Sequence, residues 1–470
     1  MPHRYLSIHA HFYQPPREDP FTGNIPNETG AAPFHNWNER IHAECYRPNA
    51  DLRNFEQISF NIGPTLSTWL AQNAPLTLQN IVEQDHHNVL RYGIGNAMAQ
   101  AYNHTILPLA SRQDKITQIY WGVAEFERRF GRRPQGMWLP ETAVDSETLE
   151  VLAENGIEFT ILAPWQAAAP DLDTSQPYRV ELPGDRNIAV FFYDRDLSAR
   201  ISFDPGATIN ADLFVKDILI PRFAPEVIHS SEDRLVLVAS DGELYGHHQR
   251  LRERFLARLV DGASSSSGIQ PVFPALWLKH HPPRRTIRIR ERTSWSCHHG
   301  VGRWNGECPC TPGDGKWKRN LRRAFDRLTV ALDEIYLEIA SRYVPDPWEL
   351  RNHYIHVLLG TTNLADLVAD LSGHGLNEPQ LKRLGLMLES QRERQRMYTS
   401  CGWFFDDFDR IEPKNDVAYA AQAVRLAQVA SGKDLSTSTL ADLDSVVSPR
   451  TRLRASRLFQ HQLHRAENKS

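Results

Sequence analysis

The feature that most constrains this chain is an alternation of apolar runs and helical patterns across its first 290 or so residues. "RYLSIHAHF" opens as a strand. "QGMWLPETA" is a short strand that breaks at Pro140, because proline removes a ladder donor. "DSETLEVLAENG" reads as a helix: Asp145 or Ser146 can cap it, acidic residues fill its first turn, and Gly156 stops it. "IEFTILAP" (157–164), "NIAVFFYD" (187–194) and "RLVLVASD" (234–241) are further β-branched, apolar runs. Strand–helix–strand order with near-continuous apolar strands implies a parallel sheet covered on both faces. Polar residues gather where these strands end: His9 and His11 on the first, Glu141 after "GMWLP", Asp194 after "IAVFFY" and Asp241 after "RLVLVAS". Parallel α/β barrels carry their active sites at that end, so a barrel is expected rather than a doubly wound sheet.

Beyond about residue 290 the texture changes. "NLRRAFDRLTVALDEIYLEIA" places Leu321, Phe325, Leu328, Leu332 and Ile335 at helical spacing. "ELRNHYIHVLLG", "EPQLKRLGLMLESQRERQRMYTS" and "DVAYAAQAVRLAQVAS" continue in that style, and the basic tail reads as a last surface helix. "DGASSSSGIQ" (261–270) is expected to be a flexible loop. The expected domains are a catalytic barrel over 1–290 and a mainly α-helical domain over 291–470 that contributes to the cleft.

Bulk numbers exclude some classes. Hydrophobic residues are 41% and charged residues 23% of 470, ordinary for a globular chain. A formal charge of −4 gives no reason to expect a nucleic-acid partner. No segment approaches the ~20 apolar residues of a membrane span, and the first residues lack a signal-type apolar stretch. A cytoplasmic protein without a membrane partner is therefore expected. An odd count of five cysteines argues against a secreted disulfide framework.

Two carboxylates stand out. Glu141 follows a proline at a strand end, beside Trp138, which suits a nucleophile or general acid that needs fixed position and partial desolvation. It could equally be a helix N-terminal glutamate near the dipole. Asp241 sits in "VLVASDGELYGHH", where Gly242 would permit a tight turn; it could aim over the rim or merely cap the next helix. Two carboxylates on one rim are the equipment of glycoside hydrolysis, one to attack or steady the sugar cation and one to protonate the leaving oxygen. His9 and His11 share one face of their strand. Metal ligation, hydrogen bonding to substrate and plain burial all remain open for them.

Cys297, His298, His299, Cys308 and Cys310 fall within fourteen residues, with Cys401 elsewhere. A metal is one reading, with Cys297, His299, Cys308 and Cys310 as candidate ligands. Against it, structural zinc favours ligand pairs at two- to four-residue spacing, and Cys308-Pro-Cys310 is tighter. A redox-active thiol pair, a disulfide and buried free thiols are the alternatives.

"HAHFYQP", "AYNHTILPLAS", "MWLPETA" and "SDGELYGHH" occur in the order and near the spacing of the sequence regions of glycoside hydrolase family 57, which this chain resembles from residue 1 to about 290. The resemblance implies a distorted (β/α)7 barrel followed by a helical domain, and a retaining mechanism on α-glucosidic bonds of α-glucans or oligosaccharides. It implies hydrolysis of the amylase type or transfer of the 4-α-glucanotransferase type, with no required cofactor. By position, Glu141 looks like the nucleophile and Asp241 like the acid/base. His9, His11, Gln14 and His104 match residues around the reacting sugar, and Trp138 and His247 are counted with them. "MYTSCGWFFDDFD" resembles the family's last region, which makes Trp403 and Asp406 candidates for the cleft. "TSWSCHHGVGRWNGECPC" and that segment mark a subgroup with an uncharacterised extra domain. Several members carry a Glu where this chain has Asn96, so one substrate-orienting charge is expected to be missing. Two other functions stay open: a metal-dependent hydrolase resembling polysaccharide deacetylases, with His9, His11, Asp241 or His248 as ligands, and a non-catalytic glucan binder.

Overall fold

β1 (Arg4–Phe12) is buried over its last seven residues, because it lies inside a parallel sheet with a neighbour on each side. The computed structural model describes residues 3–223 and 232–467. One neighbour is β2 (Ser59–Ile62), which sets Ser59 beside His9 and Asn61 beside His11. β3 (Ala97–Gln100) and β4 (Met137–Trp138) extend the sheet beyond β2. Four more strands follow: β5 (Phe159–Leu162), β6 (Tyr178–Leu182), β7 (Arg186–Phe192) and β8 (Arg234–Asp241). β8 is the other neighbour of β1, with Asp241 in register with His11. The short β9 (Ile269–Pro271) pairs with the start of β1.

A second sheet runs β10 (Arg285–Thr286), β6, β7, β5. β5 and β7 are parallel, whereas β6 and β7 form an antiparallel hairpin. Isolated backbone bonds join the two sheets. Gly136 bridges Phe159 in parallel, and the Asp194 N–H donates to the Leu237 carbonyl at 2.6 Å. Seven strands thus succeed one another as β1, β2, β3, β4, β5, β7 and β8. This is a distorted (β/α)7 arrangement, with ladders at five joints and isolated backbone bonds at the other two. Met98, Trp138, Phe159, Ile161, Phe191, Leu235, Leu237 and Trp277 fill its interior.

The helix Ser146–Glu154 starts as the sequence reads: Asp145 accepts from the Thr148 N–H, and Gly156 takes φ 77° just past the end. Segment 261–270 departs from expectation. Instead of a flexible loop, Leu259–Ala263 and Ser264–Ser266 are helical and lead into β9. Val260, Ala263 and Ile269 are buried, and that apolar anchoring overrides the loop-like run of serines.

The chain forms two compact units. The first comprises 1–14, 27–101 and 126–295; the second comprises 15–26, 102–125 and 296–470. The second is helical. The Lys316–Ala340 helix buries Leu321, Phe325, Leu328, Leu332 and Ile335 along one stripe. The Ile411–Ser431 helix buries Ala418, Ala420, Ala421, Ala423 and Ala427, small residues that let it pack closely on Glu378–Arg396. Asp114, from the 102–125 segment, is buried between Arg394 (2.7 Å) and Arg351 (3.0 Å). No described helix is long and apolar enough to cross a membrane.

Candidate active site

Glu141 stands in a three-residue turn, Pro140–Thr142, directly after β4. It adopts φ 56°, ψ 22°, and Thr142 takes φ 47°. Consecutive left-handed residues other than glycine cost of order 1–3 kcal/mol each and persist only when their surroundings hold them. Here Gln166, fully buried, supplies the hold. Its amide donates to the Thr142 carbonyl at 2.8 Å, and its oxygen accepts from the Thr142 hydroxyl at 2.9 Å and from the Ala163 N–H at 2.8 Å. Trp295 completes it: its backbone N–H donates to the Glu141 carbonyl, and its indole Nε1 donates to Glu141 Oε2, each at 3.0 Å. One carboxylate oxygen is therefore fixed by a neutral donor.

Asp241 ends β8. It makes no side-chain cap on the turn that follows, so the capping alternative falls away. Gly242 is needed for close approach rather than for its turn: a Cβ there would lie 2.3 Å from the Phe12 ring. Asp241 keeps a face open to solvent although protein crowds its carboxyl. Burial first, and the negative charge of Glu141 second, push its pKa up to about 7. Solvent at the open face tempers the burial effect, but both causes act upward, so the direction stands. Two residues on, Glu243 is 6% exposed. It accepts from the Tyr46 hydroxyl at 2.7 Å and the Tyr13 N–H at 3.0 Å, and burial pushes its pKa up to about 8.

The histidines of β1 are neutral. Burial, with the neighbouring His11 adding, lowers His9 to about 3; burial lowers His11 to about 4. His9 is completely buried, with Nδ1 on the Ser59 hydroxyl (2.9 Å) and Nε2 on Asn61 Oδ1 (3.2 Å). Both of its ring nitrogens therefore have protein partners. His11 also meets Asn61 Oδ1 at 3.2 Å, and the Asn61 amide donates to Gln100 at 2.8 Å. Both imidazoles stack on Trp138, with centroids 4.5 and 5.3 Å away, and the edge of Trp295 meets Trp138 at 5.1 Å. Trp138 is thus the floor that the histidines rest on, and Trp295 reaches from that floor to Glu141.

The other candidates are more scattered. Gln14 is buried; its carbonyl accepts from Thr65 and its side chain bonds Tyr46. His247 pairs with Glu44 at 2.5 Å. His104, Trp403 and Asp406 belong to the second unit. His104 takes φ 55° and bonds the Ser400 hydroxyl at 2.6 Å. Trp403 is 1% exposed, stacks on Tyr398 and donates to the Lys318 carbonyl. Asp406 pairs with Arg410 at 3.1 Å. Asp194 caps the helix Arg195–Phe203 rather than serving the rim. Asn96 donates to the Phe55 and Ile58 carbonyls and so pins the chain entering β2. Sequence reasoning missed Asn61, Gln166 and Trp295. Trp295 lay in a quoted motif, "TSWSCHHG", but nothing local linked it to Glu141, 154 residues earlier.

In the second unit, Cys297, His299, Cys308 and Cys310 bring their ligand atoms within 4.8 Å of one another. Among the described residues this is the set of His, Cys, Asp and Glu gathered as for a metal ion, and neither His9, His11, Asp241 nor His248 belongs to it.

The site thus sets a carboxylate whose Oε2 accepts from the Trp295 indole near a second carboxyl whose pKa is pushed up to about 7 by burial and by the Glu141 charge. A family model for glycosyl hydrolase family 57 matches residues 7–290, and the chain belongs to that family. Residues 314–464 match a domain of unknown function (DUF3536). An α-amylase of Pyrococcus horikoshii is 24% identical over 274 residues, covering 55% of this chain and 40% of that one. A 4-α-glucanotransferase of Thermococcus litoralis is 22% identical over 275 residues, covering 55% and 39%. The chain thus spans about two fifths of the length of these curated relatives. Among solved structures, an exo-type maltose-forming amylase from Pyrococcus sp. ST04 aligns with TM-score 0.74 at 15% identity over 93% of this chain and 82% of that one. A family 57 branching enzyme from Pyrococcus horikoshii aligns at 0.61 and 16% identity over 99% and 95%. At these identities the likeness shows the fold.

Proposed function

We propose that this protein cleaves α-glucosidic bonds of α-glucans by double displacement and passes the released glycosyl group to water or to a second glucan. The observation that carries the reading is the proximity of Glu141 to Asp241, whose pKa burial and the Glu141 charge raise to about 7, so that a substantial share of it holds its proton near neutral pH. The names of the α-amylase and 4-α-glucanotransferase relatives support the substrate class.

In the first step, an oxygen of ionised Glu141 bonds to the anomeric carbon while Asp241 gives its proton to the departing glycosidic oxygen. The Trp295 N–H holds Oε2, which presents the carboxylate in one orientation. In the second step Asp241, now ionised, takes a proton from water or a sugar hydroxyl as that oxygen attacks the anomeric carbon. The ester bond breaks, Glu141 recovers its charge and Asp241 recovers its proton. Two inversions leave the α configuration retained. Neutral His11, stacked beside Tyr13 (5.9 Å) and Trp138, is suited to hydrogen-bond sugar hydroxyls.

The test is incubation with maltoheptaose, following anomeric configuration by proton NMR and product length by chromatography. Retained α products are expected, shorter sugars marking hydrolysis and longer ones transfer. Inverted products, or no turnover of maltoheptaose by folded protein, would overturn the proposal, as would a Glu141→Gln variant with full activity.

A further inference from the structure

We propose that the second unit holds one zinc ion, bound by Cys297 Sγ, His299 Nδ1, Cys308 Sγ and Cys310 Sγ. The proposal is independent of the catalytic reading. A tetrahedral site with Zn–S of ~2.3 Å and Zn–N of ~2.0–2.1 Å requires sulfurs about 3.8 Å apart and sulfur–nitrogen gaps of about 3.5 Å. Cys297 Sγ and Cys308 Sγ are 3.5 Å apart, and His299 Nδ1 lies 3.3 Å from both Cys308 Sγ and Cys310 Sγ. These are the edges of a tetrahedron of that size. They exceed the ~2.05 Å of a disulfide bond. No edge of the set exceeds 4.8 Å, which suits a single ion.

The spacing objection is met by the backbone. In Cys-x-His and Cys-x-Cys pairs the single intervening residue leaves the ligands on one side only if the chain bends at each. It bends at both: the Gly300 N–H returns to the Cys297 carbonyl at 3.1 Å, and the Thr311 N–H returns to the Cys308 carbonyl at 3.0 Å.

Three thiolates and one imidazole carry a net charge of −1 with the ion bound, and the surroundings are positive. Arg303 donates to the Cys310 carbonyl at 3.1 Å and stacks over Phe404. Lys318, 1% exposed, donates to Thr311 at 3.1 Å and lies near enough to Cys297 and Cys308 to feel their charges. Thiolate-rich, four-ligand sites favour zinc among the common divalent ions, and a site without an open position is structural. Binding releases the thiol protons and ties the 297–299 and 308–310 turns to one point, so metal and folding are linked.

The experiment is elemental analysis of the full chain, purified under reducing conditions without chelator. About one zinc per chain is expected. Replacement by cobalt(II) should give the intense near-ultraviolet absorption of thiolate–cobalt bonds, and removal of the metal should lower the melting temperature. Cys308→Ser should lose the metal. Cys310→Ser, at a partly exposed position, should stay folded by circular dichroism yet lose zinc and the cobalt signature. Wild-type protein with less than about 0.1 equivalent of metal that takes up none from added zinc chloride would overturn the proposal. So would a Cys297–Cys308 disulfide, found as a mass two hydrogens short that reduction restores, or a folded Cys310→Ser variant with full zinc content.

Discussion

The two carboxyl groups have the same chemistry and different environments, and their division of labour rests on that difference. Asp241 is the proton donor because burial and the nearby Glu141 charge hold its pKa at about 7. The form needed for the first step is the protonated one, so kcat/KM should fall as pH rises through about 7. Asp241→Asn should lower kcat by about 10²- to 10⁴-fold and abolish that alkaline limb for substrates with poor leaving groups. A kcat/KM profile flat from pH 6 to 9 in the wild type would contradict the assignment. The same shift has a stability consequence. The folded state keeps a proton that the unfolded chain releases near the usual aspartate value, so stability is full below that value and is lost as pH rises to about 7. Asp241→Asn should flatten that decline in thermal melts. Trp295 acts through a single hydrogen bond to a charged oxygen, worth roughly 1.5–3 kcal/mol. Trp295→Phe keeps the ring on Trp138 and removes the donor, so kcat should drop about 10- to 100-fold. An unchanged melting temperature would separate this loss from a packing defect.

The strands differ in how plainly the sequence announces them, and the reason is physical. β1, β7 and β8 run seven to nine residues and are buried over most of their length, with long apolar stretches, because each is sandwiched in a sheet with both faces covered. β2 and β3 are four residues each, "SFNI" and "AMAQ", too short to give a periodic signal. Asn61 was hidden for that reason, although it joins both histidines of β1. The proline-stopped strand before Glu141 was legible; its left-handed turn was not, since the stabilising partners Gln166 and Trp295 come from later segments. The cysteine and histidine residues were visible as a cluster, but one-residue spacings hid that two turns fold them onto one point. The turn carries its own prediction. Gln166→Ala leaves the Thr142 carbonyl and the Ala163 N–H without their partner in a buried place, costing about 1–3 kcal/mol for each group left unsatisfied. It also releases the strained backbone beneath Glu141. Melting temperature and kcat should therefore fall together, with KM changing less. A variant with lower stability and full kcat would mean that Trp295 alone fixes Glu141.

The division of the whole molecule does not follow the chain in two blocks. The family 57 match covers residues 7–290, yet segments 15–26 and 102–125 inside that range belong to the helical unit. Their interactions there are those of core residues. Trp121 is fully buried, and its indole donates to the Arg351 and Asn352 carbonyls at 3.2 and 2.9 Å. Asp114 accepts from Arg394 and Gln395, both at 2.7 Å. Burial works to raise its pKa, but Arg394 and Arg351 more than offset this and hold its carboxyl well below the usual range. The Tyr419 hydroxyl donates to the Pro16 carbonyl at 3.0 Å. A chain cut after residue 290 would keep Trp121, Asp114 and Pro16 and lose every one of these partners. The fragment would expose a large aromatic ring and the apolar positions around it, a recognised aggregation hazard. Residues 1–290 expressed alone should therefore be largely insoluble or bind a hydrophobic dye strongly. Co-expression of 291–470 should restore soluble protein, because the two pieces together contain every partner. A soluble, cooperatively melting 1–290 monomer would show that the two inserted segments find a stable arrangement without the helices they pack on. In the intact chain, the same network predicts acid sensitivity. Asp114 titrates below its unfolded value, so its contribution is present above about pH 4 and is lost as pH falls further. Asp114→Asn removes the charge that Arg351 and Arg394 share in a buried place, and breaking such a pair costs about 3–5 kcal/mol. Its melt should be lowered at pH 7, and the gap from the wild type should narrow on acidification.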